Sequence, residues 1–115
     1  MTESHARADE AGEDFREPLS NADARVRIRK ILREGGAYAF SPHAEEEMAK
    51  DGLERTDVLS VLRAGTVDGG EFRMGSWRYR VRTNTIWVVV AFRSPRELRV
   101  VTAWRDRKRR GDWRP

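Results

Sequence analysis

Two sets of residues in this 115-residue chain could do chemistry together. The first is His43, placed in the run Ser41-Pro42-His43-Ala44-Glu45-Glu46-Glu47-Met48. The second is the alternating run Trp77-Arg78-Tyr79-Arg80-Val81-Arg82, followed by Trp87, Arg93, Arg99 and Arg105. An imidazole moves a proton near neutral pH. Guanidinium forks hold phosphate oxygens, and an indole stacks on a base. Together these groups suit attack by a ribose 2′-OH on its own phosphate. That step needs a base for the hydroxyl, positive charge at the phosphorane-like oxygens and an acid for the leaving 5′-oxygen. Glu46, Glu47 and Tyr79 are further candidates for proton transfer, although Tyr79 shares the apolar stripe of Trp77 and Val81 and reads as structural.

Composition narrows the chemistry. The chain has no cysteine and only two histidines, His5 and His43. Thiol nucleophiles, thiolate metal sites and multi-histidine metal sites are therefore excluded, and neither metal nor cofactor is expected. No apolar run approaches the roughly 20 residues that span a bilayer, and the start of the chain is polar and acidic. The expectation is a cytoplasmic protein with no membrane partner. Of 23 basic residues only Lys30, Lys50 and Lys108 are lysines, which leaves 20 arginines. The net charge of +4 conceals a gradient: residues 1–24 carry −5, residues 25–71 carry −1 and residues 72–115 carry +10. A polyanionic partner belongs at the C-terminal end.

The elements that must position these residues follow from periodicity. Residues 1–19 show none and read as a disordered acidic arm. Ala24, Ile28, Ile31 and Leu32 form one stripe of a helix over 21–34, capped by Ser20 or Asn21 and ended by Gly35-Gly36. Arg25, Arg29 and Arg33 occupy another face of it. Ala37 to Phe40 reads as a connector or edge strand. Ser41 caps and Pro42 opens a short helix that stops near Asp51-Gly52. His43 then sits in its first turn, where the dipole favours a neutral imidazole that accepts or shuttles a proton; alternatively it packs against Tyr38. Thr56 caps a third helix, whose Val58, Leu59, Val61 and Leu62 face the core and which Gly65 ends. Phe72-Arg73-Met74 is a candidate short strand.

After Gly69-Gly70 the period becomes two. Trp77, Tyr79 and Val81 share one face of a strand, and Arg78, Arg80 and Arg82 the other. A two-residue turn at Asn84-Thr85 sets Val81 against Val88 and Tyr79 against Val90. Trp87 then lies beside Arg82 on the arginine face. The last strand, Leu98 to Arg105, admits two registers, and a slip of one residue exchanges its faces. The register preferred on charge buries Leu98, Val100, Thr102 and Trp104 and sends Arg99 and Arg105 to join Arg93 on the arginine face. The other puts Thr102 and Trp104 beside Trp87, which also suits nucleic acid. The fold class expected is α+β: two or three N-terminal helices on one face of a three- to four-stranded antiparallel sheet over 20–105, with a basic tail over 106–115.

The order of motifs from Phe40 to Arg105 resembles a family of small stand-alone bacterial proteins of poorly defined function. The matching residues are His43-Ala44 to Met48, Asp57-Val58 to Gly65, Tyr79-Arg80-Val81, Val88 to Val90 and Val101-Thr102. That family is similar to the RelE and MqsR toxins of toxin–antitoxin pairs. The resemblance implies a RelE-like α+β domain, metal-independent mRNA cleavage, RNA (also ribosome-bound mRNA) as partner, and a cognate antitoxin. It places Arg78, in Trp-Arg-Tyr, and Arg105, in Ala-Trp-Arg, at the arginines of such toxins, with Arg80 a near alternative for the first. The expectation is an endoribonuclease with His43 as base or acid, and Arg78 and Arg105 stabilising the transition state. Arg80, Arg82, Trp87, Arg93 and Arg99 would bind RNA. The alternative is a non-catalytic module that binds nucleic acid or a partner through the same face.

Overall fold

In a computed structural model, residues 15–106 are described. The elements run α1 (Asn21–Arg33), β1 (Ala37–Phe40), α2 (Pro42–Lys50), α3 (Arg55–Ala64), β2 (Thr66–Arg73), β3 (Ser76–Arg82), β4 (Ile86–Ser94) and β5 (Glu97–Arg105). The fold is α+β, as the periodicity predicts. The sheet is larger than expected, with five strands in the order β1-β5-β4-β3-β2. It is also mixed, because β1 pairs with β5 in parallel at one edge. The expected arm over 1–14 and tail over 107–115 lie outside the described residues. Residues 15–19 correct the prediction of disorder: Phe15 and Leu19 pack against the core.

All three helices cover one face. Ser20 caps α1 by accepting the Asp23 N–H at 3.0 Å, and Ala24, Ile28 and Ile31 form its buried stripe. The start of α1 is tied to β2, where the Gly69 N–H donates to Asn21 Oδ1 at 2.9 Å. At its other end α1 touches β1 and β5. In α2, Ser41 is the cap and Pro42 the first residue, and Ala44 and Met48 are buried. The cap of α3 is Glu54, not Thr56. The Asp57 carboxylate reaches back to accept the Glu54 N–H at 2.8 Å, a reciprocal cap that closes the first turn. Val58, Val61 and Leu62 turn inward as predicted.

Beneath the helices, Tyr79, Val81, Val88, Val90, Leu98, Val100 and Ala103 are sealed from solvent. The β3–β4 register is the predicted one, with Tyr79 opposite Val90, Val81 opposite Val88 and Arg82 opposite Trp87. Strand β5 follows neither proposed register throughout. Val90 pairs with Val100 and Val89 with Thr102, so Val101 is an extra residue, a β-bulge. Before it Leu98 and Val100 face the helices; after it Ala103 does. The Ser41 hydroxyl donates to the bulge carbonyl of Val101 at 3.0 Å and also accepts the Ala44 N–H. One side chain thus caps α2 and fastens it to β5.

Candidate nucleic-acid interface

The face away from the helices carries the charge. Arg78, Arg80 and Arg82 alternate with buried Tyr79 and Val81, so they share this face. The Arg82 guanidinium lies 5.4 Å from the Trp87 ring centre, within cation–π range. Its Nε is 3.2 Å from Asp68 Oδ2. Arg80 Nε donates to the Asp68 carbonyl at 3.1 Å. The Nε of Arg78 is buried and has no hydrogen-bond partner among the described residues. An orphaned donor of that kind costs free energy unless an acceptor reaches it.

Next to the arginines is an aromatic pair. The bulge at Val101 brings Trp104 to the open face opposite Trp87. The two indoles are nearly parallel, 6° apart with centroids at 6.0 Å. Trp87 Nε1 donates to Asp106 Oδ2 at 3.1 Å, which fixes that ring's orientation. Arg82, Trp87 and Trp104 form a row of flat groups across three strands. Strand β1 pairs with β5 only from Glu97 to Val100, so among the described residues no strand flanks Trp104 on its outer side. Arg99, opposite Ala91, is on the same face. Arg93 follows buried Phe92 and is exposed, 3.8 Å from Glu97.

The proposed catalytic set does not assemble. Arg105 pairs with Ile86, on the helix side of the sheet, which corrects the preferred register. Its N–H donates to Asp51 Oδ2 at 2.8 Å and its Nε to the Asp51 carbonyl at 3.0 Å. The bulge is the physical reason: one extra residue inverts the faces of everything after it. Arg105 therefore serves the C-terminal end of α2, where a cation complements the helix dipole. His43 is exposed at the other end of that nine-residue helix, about 13 Å away along the axis at ~1.5 Å per residue. Arg78 is across the sheet from both. Thr102 and Trp104, assigned to the core by that register, belong to the open face instead. The signal for Trp104 was present in the sequence as the second register, and only the bulge makes both partly right.

Tyr79 is structural. Its ring is buried under the helices, its hydroxyl donates to Glu17 at 2.9 Å and accepts the Leu19 N–H at 3.0 Å. Burial pushes its pKa up to about 12 and also raises that of Glu17. Among the described residues no three His, Asp or Glu side chains gather where a metal could be held. No helix among them is long and apolar enough to cross a membrane.

The profile of a domain family of unknown function, DUF4258, matches residues 40–105. This chain belongs to the DUF4258 family. No curated protein and no solved structure matches it. The DUF4258 span begins on the last residue of β1 and ends on the last of β5. It holds α2, α3, the bulged β5 and every residue of the open face described above. Helix α1, which covers that unit with Ala24, Ile28 and Ile31, lies outside it.

Proposed function

We propose that this protein binds single-stranded RNA on its open sheet face, as a toxin-like member of a toxin–antitoxin pair with a cognate antitoxin as second partner. The observation that carries the reading is the juxtaposition of Arg78, Arg80 and Arg82 with the parallel Trp87–Trp104 pair. Arginines alone would serve any polyanion. Flat rings beside them add a stacking surface for unpaired bases, each worth about 1–3 kcal/mol. Arg93 and Arg99 extend the positive field along β4 and β5. The test is titration of the full chain with labelled single-stranded RNA at several salt concentrations. Trp104→Ala should weaken binding, and Arg80→Ala should flatten the salt dependence by roughly 0.7 per lost phosphate contact. Binding that ignores both substitutions overturns the reading.

A second reading, metal-independent endoribonuclease, is favoured by the buried, partnerless Nε of Arg78. A phosphate oxygen would satisfy that donor, and charge there stabilises a phosphorane-like transition state. His43, the expected proton carrier, lies on the other side of the sheet, and the titratable group opposite Arg78 is Glu71. The reading requires RNA cleavage, free or on ribosomes, and growth arrest on expression, both abolished by Arg78→Ala. Intact RNA after incubation with the wild type leaves binding as the function.

A further inference from the structure

The sheet ends on β2, whose outer edge faces no other strand among the described residues. Its first half is irregular, because the ladder to β3 breaks between Val67 and Gly70. Its second half is regular: Glu71, Phe72 and Arg73 pair with Arg78, Trp77 and Ser76. A regular free edge is a template for another strand. This one also carries exposed apolar surface. Phe72 is 57% exposed and Met74 at the hairpin tip 87%. Phe72 packs edge-on against Trp77 with centroids at 5.4 Å.

We propose that a second copy of this chain pairs with that edge, β2 to β2, antiparallel, about a two-fold axis at Phe72. The charges select this register. Centred on Phe72, Glu71 of each copy opposes Arg73 of the other. Centred one residue earlier, Glu71 opposes Glu71; one residue later, Arg73 opposes Arg73. Unlike charges opposite one another stabilise an antiparallel pair and like charges destabilise it. Glu71 and Arg73 are both exposed and at present share a 3.6 Å ion pair within the strand, so each is free to turn to a partner strand. On the other side of the sheet the two Phe72 and two Trp77 rings meet in one cluster, which covers the exposed Phe72. The interface is isologous and closed, so it ends at two chains. The bulge at Asp68-Gly69 limits the pairing to the regular segment.

Sedimentation of the full chain should show a species of twice the 13.3 kDa chain mass that dissociates on dilution. Glu71→Arg or Arg73→Glu alone should return the single-chain mass at the same concentration. The combined exchange should restore the pair. Both sites are exposed, and an unchanged thermal melt reports that the variants fold. The chain has no cysteine, which allows an independent measurement. Phe72→Cys sits on the axis and meets its own copy at about 4.5–5.5 Å between Cα atoms, within reach of a disulfide. It should cross-link to a dimer on mild oxidation, whereas Met74→Cys, off the axis, should not. A wild type of single-chain mass at its highest soluble concentration overturns the proposal. So does a pair that survives a single charge reversal, or cross-linking no faster at residue 72 than at 74.

Discussion

On the helix-covered face, Val81, Val88, Val90 and Leu98 are shut off from water, while their neighbours along the same strands, Arg80, Arg82, Trp87 and Arg99, keep contact with it. The two faces share one backbone and differ only in which member of each dipeptide they show. One face has found its partner within the chain, in Ile28, Met48, Val58 and Leu62. The other answers its own charge only in part. Asp68 serves Arg80 and Arg82, Glu97 lies near Arg93, and Arg78 keeps a buried donor with no partner among the described residues. The covered face is finished by folding. The open face keeps an excess of arginine, and the anionic partner proposed above would answer it.

The largest effects should come from breaking the covered face. Leu98→Ala removes a side chain with no exposure and should cost about 2–5 kcal/mol of stability, read as a lower denaturant midpoint. At a temperature where the variant is still folded, RNA affinity should be unchanged. Trp104→Ala tests the opposite face and should invert that result. It should weaken single-stranded RNA by about 1–3 kcal/mol and move the midpoint little. A loss of fold with Trp104→Ala would mean that the aromatic pair belongs to the core after all.

Smaller effects sharpen the boundary between the faces. Ser41→Ala removes both the cap of α2 and the bond to the bulge and should cost about 0.5–2 kcal/mol in chemical denaturation. The Tyr79 phenol gives a pH signature of the covered face. Its folded pKa of about 12 lies above its ordinary value of 10.0, so the protonated form is the one that folding favours. Stability from this group is complete below pH 10 and is lost progressively as pH rises towards 12. Tyr79→Phe should flatten the alkaline limb of a stability–pH curve. Glu17 shifts in the same direction, raised by burial, so its contribution grows as pH falls towards the carboxylate range. The smallest effect expected is from His43→Ala, since the residue is exposed at the start of α2; RNA affinity and midpoint should both stay near wild type.

Where the chain spells out a strict alternation, the sequence can be read to the residue. Trp77 to Arg82 and the short turn at Asn84-Thr85 admit one hairpin register, and it is the one found. The stripes of α1 and α3 are legible for the same reason, since packing on a single core demands one apolar face. Strand β2 was hidden because Asp68-Gly69-Gly70 lacks alternation. Gly70 is closely packed there: an added Cβ would lie 3.1 Å from the Tyr79 ring, which would have to give by a few tenths of an ångström. The parallel pairing of β1 depends on Phe40 reaching Val100, sixty residues away in sequence, a contact that no local pattern encodes. Most of the candidate site was visible as Arg78, Arg80, Arg82 and Trp87. Arg105 and Trp104 changed places because both phases of β5 look apolar, with Leu98 and Val100 in one and Val101 and Ala103 in the other. A bulge between them costs one residue and leaves no mark in composition.

That single residue has a genetic corollary. Loss of the Val101 codon would remove the extra residue and leave β5 in uniform register with its present pairs, Ala103 and Arg105 towards the helices and Thr102 and Trp104 outward. The deletion would keep the indole on the open face and Arg105 beside Asp51, and would remove the Val101 carbonyl to which the Ser41 hydroxyl donates. Substitutions at Val101 keep that backbone carbonyl. A deletion at this site should therefore loosen the hold of β5 on α2 and leave both faces of the sheet as they are.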